Sequence, residues 1–139
     1  MTGAVVQPMV SGGIEMLVGI VNDETFGPVL ACASGGQLTE VVGDSQFRLF
    51  PVTDLDAQAM IDSLRVARLL RGYRGRPPAD EGALRDALLR LSALAASCPE
   101  IQELDINPLV VTTHGVMALD VRVRIEPPRA KPVSRRVMY

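Results

Sequence analysis

Glu103-Leu104-Asp105-Ile106-Asn107-Pro108-Leu109 is the stretch around which the rest of the chain is organised, together with its partner Val116-Met117-Ala118-Leu119-Asp120-Val121. At a period of two, Leu104 and Ile106 fall on one face of a strand, and Glu103, Asp105 and Asn107 on the other. Residues two apart on one face stand roughly 7 Å from each other. Pro108 donates nothing to a ladder, so the strand is expected at an edge or bent there. Thr112-Thr113-His114-Gly115 reads as a turn, and a loop of those four residues brings Asn107 opposite Asp120. One carboxamide and two carboxylates then share a hairpin face. Such oxygen donors suit Mg²⁺, which takes a few protein oxygens and completes its shell with water and phosphate. The alternative is a solvated hairpin face of ordinary polar residues.

The 139 residues suffice for one domain. Apolar residues make up 47 % and aromatic ones only 4 %, so the core is expected to be aliphatic. A net charge of −2 gives no general attraction to nucleic acid. Cys32 and Cys98 lie far apart, in no metal-like spacing, and read as small buried apolar residues of a reducing cytoplasm. The N-terminus has no basic segment of a signal peptide, and no apolar run reaches the ~18 residues of a membrane span. The only lysine is Lys131 and the only histidine is His114. A protein that handles nucleotide phosphates by itself is expected to place a lysine on them.

In chain order, residues 4–10 read as a strand broken by Pro8, and Ser11-Gly12-Gly13 as a turn. Strands follow at 14–21, 28–33, 38–42 and 46–52, separated by short turns, which implies an antiparallel meander. The period then changes. Thr53 with Asp56 predicts a capping box for a helix striped by Met60, Ile61, Leu64 and Ala67. Residues 71–78, with two glycines and two prolines, form a loop. Asp80 caps a second helix striped by Leu84, Leu88, Leu91 and Ala95, which Pro99 closes. The 103–124 hairpin completes an α+β domain over 1–126: an antiparallel sheet with two helices on one face. Residues 127–139 read as a flexible tail. The free face of the sheet is where Glu15, Asp105, Asn107 and Asp120 are expected to meet.

Several residues carry two readings each. Gly12-Gly13 and Gly35-Gly36 let backbone approach a phosphate, or simply close hairpins. Glu15 grips ribose hydroxyls as a double acceptor, or faces solvent. Arg48, between Phe47 and Leu49, pairs with a phosphate or snorkels. Arg71, Arg74 and Arg76 read as a solvated loop. His114 lies in a turn with no carboxylate at triad-like spacing and is rejected as a nucleophile.

Together the segments Val5-Val6-Gln7-Pro8-Met9-Val10, Gly12-Gly13-Ile14-Glu15, Phe26-Gly27-Pro28-Val29, Gly35-Gly36, Phe47-Arg48 and Glu103 to Leu109 occur in the order seen in a known family. The chain resembles, over about residues 4 to 125, the ATP-grasp domain of ADP-forming acyl-CoA synthetases, relatives of succinyl-CoA synthetase. Asp105-Ile106-Asn107-Pro108-Leu109 followed by Leu119-Asp120 is the most specific part of the likeness.

The resemblance implies that Gln7, Pro8, Met9 and Val10 form the hinge whose backbone binds adenine. It implies that Glu15 binds ribose, that Arg48 belongs to the nucleotide site, and that Asn107 and Asp120, with Asp105 beside them, hold Mg²⁺ against the phosphates of ATP or ADP. The ATP-grasp unit of this family exchanges a phosphoryl group between a phosphohistidine and ADP. The chain departs from the pattern: it starts at the hinge, without the lysine-bearing half, the CoA-binding domain or the phosphorylated histidine. It is therefore expected to be the C-terminal half of an ATP-grasp domain in a longer protein, inactive alone. Alternatives are a nucleotide-sensing or structural remnant in a protein acetyltransferase, and an interaction domain whose exposed sheet face docks the missing half or a second copy.

Overall fold

The computed structural model describes residues 13–35 and 43–127. The strands expected at 4–10 and 38–42, the hinge residues and all of the tail beyond Pro127 lie outside these. Strand β1 (Ile14–Asp23) and strand β2 (Gly27–Ser34) form an antiparallel hairpin. The Asp23 carboxylate closes its turn by accepting the backbone N–H groups of Thr25 at 2.8 Å and Phe26 at 3.0 Å. Strand β3 (Ser45–Leu49) pairs with the outer side of β2. It stops three residues short of the expected Val52. Pro51 lacks an N–H and cannot extend the ladder. Val52 turns inward instead, its N–H donating to the Ser92 hydroxyl at 3.0 Å.

Thr53 and Asp56 form the expected capping box: the Thr53 hydroxyl accepts from Asp56 N–H at 3.2 Å and the Asp56 carboxylate from Thr53 N–H at 3.0 Å. This starts helix α1 (Asp54–Asp62). The expected first helix does not run through to Ala67. The Ser63 hydroxyl caps back onto the Ala59 carbonyl at 2.7 Å. The buried Asp44 carboxylate takes the N–H groups of Arg65 and Val66 at 2.7 and 2.9 Å, donors that a continuous helix would have used internally. A separate short helix, α2 (Ala67–Leu70), follows. Among the described residues there are thus three helices where two are expected. Helix α3 (Glu81–Ser97) is capped by Asp80, whose carboxylate accepts Ala83 N–H at 3.0 Å. Leu84, Leu88 and Leu91 of its stripe are buried and Ala95 half-buried.

Strand β4 (Ile101–Thr112) does not extend the meander beyond β3. It returns along the free side of β1, and strands β5 (Gly115–Ala118) and β6 (Val121–Ile125) pair with its outer edge. The order is β3-β2-β1-β4-β5, with β6 continuing beside β4. The helices cover one face. Met16, Val18, Ile20, Leu30, Cys32, Leu104, Leu109 and Val111 meet Met60, Ile61, Leu70, Leu84 and Leu88 there in an aliphatic core. At Gly19 the backbones of β1 and β4 leave no room for a side chain: a Cβ there would lie 2.2 Å from the Leu104 carbonyl oxygen.

Candidate functional site

The hairpin register decides the site. Thr112 pairs with Gly115 across the two-residue turn Thr113-His114, and the pairing holds one register from there to Glu103 opposite Arg124. It places Asn107 across from Asp120, and the Asn107 N–H donates to the Asp120 carbonyl at 3.0 Å. Leu119 N–H in turn donates to the Pro108 carbonyl at 3.0 Å. Against β1 the same stretch is irregular: Met16 faces Leu109 but Val18 faces Ile106, so Leu17 alone opposes Asn107 and Pro108. This bulge shifts the alternation by one. Leu104 and Ile106 pack toward the helices before it, and Leu109 and Val111 after it. Asn107 and Asp120 are both exposed, and Asp105 is half-buried opposite Gly19.

Glu15 lies on that open face. Its strand neighbours Ile14 and Met16 belong to the helix side, and its cross-strand partner is Val110. The Glu15 backbone is held by Gly35, whose N–H donates to the Glu15 carbonyl at 2.8 Å. A Cβ at Gly35 would stand 2.9 Å from that same carbonyl. The glycine is needed because two backbones meet there. From Glu15 to the bulge opposite Asn107 is two residues of β1, about 7 Å along the strand.

Arg48 stands apart from this group. Its partner across the ladder is Leu30, a core residue, so Arg48 lies on the helix side of the edge strand. Its guanidinium donates to the Phe47 carbonyl at 2.8 Å and to the Gln46 side chain at 3.3 Å. Its charge adds weakly to the Thr53 hydrogen bonds that hold the Asp56 carboxyl below its usual value. Of the residues named from the sequence, Glu15, Asp105, Asn107 and Asp120 share a face and Arg48 does not join them. Gln7, Pro8, Met9 and Val10 are outside the described residues. His114 is a turn residue, its ring Nδ1 2.7 Å from the Thr113 hydroxyl.

The sequence led to an exposed sheet face but named no residues for its apolar part. Val21, Val29 and Leu49 align across three strands, and with Phe26, Phe47 and, at the sheet edge, the Arg48 side chain that donates to the Phe47 carbonyl, they line a pocket of about 410 Å³. Phe47 is 53 % and Leu49 55 % exposed. Their alternation with Gln46 and Arg48 was the available signal.

The donor set on the open face is an amide oxygen and one or two carboxylates, with no thiol or imidazole among the named residues. Among the described residues, no three His, Cys, Asp or Glu side chains converge into a cation cage. Hard oxygen donors in such small number fit Mg²⁺ held jointly with phosphate, and do not fit a closed Zn²⁺ or Ca²⁺ site.

A family model for the ATP-grasp domain matches residues 1–125. The acetate–CoA ligase (ADP-forming) I of Archaeoglobus fulgidus is 42 % identical over 121 residues, covering 87 % of this chain and 18 % of that protein. The β subunit of acetate–CoA ligase (ADP-forming) I of Pyrococcus furiosus is 36 % identical, covering 87 % of this chain and 52 % of the subunit. The chain thus spans about half of that subunit and about a fifth of the longer relative. Among solved structures, the dinucleotide-forming acetyl-coenzyme A synthetase 1 of Ca. Korarchaeum cryptofilum superposes with a TM-score of 0.79 at 33 % identity, over 84 % of this chain and 55 % of that one. That protein was solved with coenzyme A and Mg-AMPPCP, its phosphohistidine segment pointing towards the nucleotide binding site. The family match, the identities and the superposition agree: the chain belongs to the ATP-grasp domain family, as a segment homologous to the β-subunit region of ADP-forming acyl-CoA synthetases.

Proposed function

We propose that the open sheet face is one wall of a nucleotide site, and that the chain serves a longer ADP-forming acyl-CoA synthetase as its Mg-nucleotide-holding part. The observation that carries this reading is the placement of Asn107 against Asp120 on the face that also bears Glu15. Glu15 accepts from the two ribose hydroxyls. The Gln7 to Val10 segment, which leads into β1, meets the base with its backbone. The Asn107 amide oxygen and the Asp120 carboxylate would hold the metal from the protein side, and Asp105 would orient the asparagine from the same strand. Bound Mg²⁺ would neutralise phosphate charge as the phosphoryl group moves. The residues of this chain bind, align and keep the anionic groups in register, which is most of what phosphoryl transfer asks of a protein.

In the full-length protein the transfer runs between an enzyme phosphohistidine and ADP: the P–N bond breaks and a P–O bond forms on the terminal phosphate of ADP. The rest of the ATP-grasp domain closes over the open face, including the apolar surface of Phe26, Phe47 and Leu49. The CoA-binding parts belong to the same longer protein. The test is phosphoryl transfer by the full-length protein carrying Asp120→Asn, beside a thermal melt. Loss of turnover with an unchanged melt supports the reading. Full activity removes Asp120 from the site and with it the metal reading of the hairpin.

A further inference from the structure

From Ser63 to Ala79 the chain carries five arginines and no carboxylate, on a protein of net charge −2. One of them, Arg71, is neutralised. Its guanidinium bridges Asp62 of α1 and Glu81 of α3, the latter at 2.9 Å. Arg65, Arg68, Arg74 and Arg76 form no ion pair among the described residues. Arg65, Arg68, Leu69 and Tyr73 line a surface pocket of about 400 Å³. The Arg74 guanidinium sits 5.1 Å from the centre of the Tyr73 ring. The helices separate this pocket from the open sheet face, so it is distinct from the nucleotide wall described above.

The pocket is held in shape. Asp44 fixes the turn from which Arg65 projects, through the N–H groups of Arg65 and Val66. The Arg71 bridge ties the far end of α2 to α1 and α3. The Ala79 N–H closes the loop base onto the Leu70 carbonyl at 2.7 Å. Gly72, Arg74 and Gly75 all have positive φ, and the Arg74 guanidinium lies over the ring of its neighbour Tyr73. A merely solvated loop has no need to gather like charges, which repel one another unless an anion stands between them. Guanidinium forks match phosphate oxygens in pairs. Leu69, 40 % exposed, and Tyr73 add a flat apolar wall beside them.

We propose that this pocket binds a phosphorylated small molecule of the nucleotide class, its phosphates on Arg65 and Arg68 and its base against Tyr73 and Leu69. Inorganic polyphosphate offers the same anionic chemistry without the base, and the test separates the two. The 139-residue chain is titrated calorimetrically with ADP and with pyrophosphate, in chelator and without magnesium. Both bind saturably and weaken with salt, ADP the more tightly. Arg65→Gln with Arg68→Gln lowers both affinities by about tenfold or more. Tyr73→Ala lowers ADP to the level of pyrophosphate and leaves pyrophosphate unchanged. Arg90→Gln, exposed on α3 and outside both the pocket and the sheet face, leaves both titrations as they are. Circular dichroism checks each fold, and Arg68→Gln alone replaces the double variant if that one unfolds. Absence of saturable binding, or binding that the arginine variants do not weaken, overturns the site. Equal affinities for ADP and pyrophosphate, with Tyr73→Ala silent, overturn the nucleotide class.

Discussion

The Asn107 N–H donates to the Asp120 carbonyl at 3.0 Å, so the two residues that most resemble metal donors are locked together by their backbones. Their side chains are free for other work, because the backbone bond alone sets the pairing. Asp120 is exposed and fills no core space. Asp120→Asn in the full-length protein is expected to cut phosphoryl transfer by about a hundredfold or more, the scale on which loss of an electrostatic group acts. The melting temperature should stay within about 2 °C of wild type, as for surface changes away from packing. Parallel kinetics and melting curves check both halves of the expectation.

Gly19→Ala and Gly35→Ala test close backbone approach. A methyl at Gly19 would press on the Leu104 carbonyl, and one at Gly35 on the Glu15 carbonyl. Neither neighbour is a flexible side-chain end, so strand spacing must give. Each change should destabilise by about 1–3 kcal/mol, the range for overpacking. Gly35→Ala should also weaken nucleotide binding by moving Glu15, which Gly19→Ala should do less. Urea unfolding and nucleotide titration of both variants measure this.

Asp44 is buried and accepts two backbone N–H groups. Asp44→Ala leaves both donors without their acceptor, at about 1–3 kcal/mol for each buried group left unsatisfied. Hydrogen exchange should accelerate at Arg65 and Val66 before it does in β1. Unaltered exchange at those two amides would contradict the role given to Asp44.

Cys32 is fully buried in the core, and burial first, then the nearby Asp44 charge, pushes its thiol from 9.0 up to about 12. The folded state therefore holds the proton more tightly than the unfolded chain. The corresponding stability is fully present below about pH 9 and is lost progressively as pH rises from there to about 12. Cys32→Ala should lose part of the alkaline slope seen in wild-type unfolding free energy. Cys98, half-buried, should react with a thiol reagent under native conditions while Cys32 does not.

The open face leaves Phe26 67 %, Phe47 53 % and Leu49 55 % exposed in this chain. Contiguous apolar surface of this kind seeks cover. The isolated chain should self-associate as its concentration rises, and Phe47→Glu with Leu49→Lys should reduce this. Light scattering across a concentration series decides it; a strictly monomeric wild type would contradict the expectation.

Local chemistry settled much of this protein in one dimension. The Thr53–Asp56 box, the Asp80 cap, the leucine stripe of α3 and the turn at Thr113-His114 are all contacts between near neighbours, and each is written in the spacing of its residues. The facing of Asn107 and Asp120 is of the same kind, since a short turn fixes a hairpin register by counting. What only the tertiary structure decided involves residues far apart in the chain. The return of β4 beside β1 rather than β3, the bulge that resets the alternation after Asn107, and the break between α1 and α2 imposed by Asp44 have no local signature. Arg48 is the clearest case. Alternation alone leaves a strand with two equal faces, and only packing against the helices determines which face is the buried one; that packing set Arg48 on the side away from Glu15.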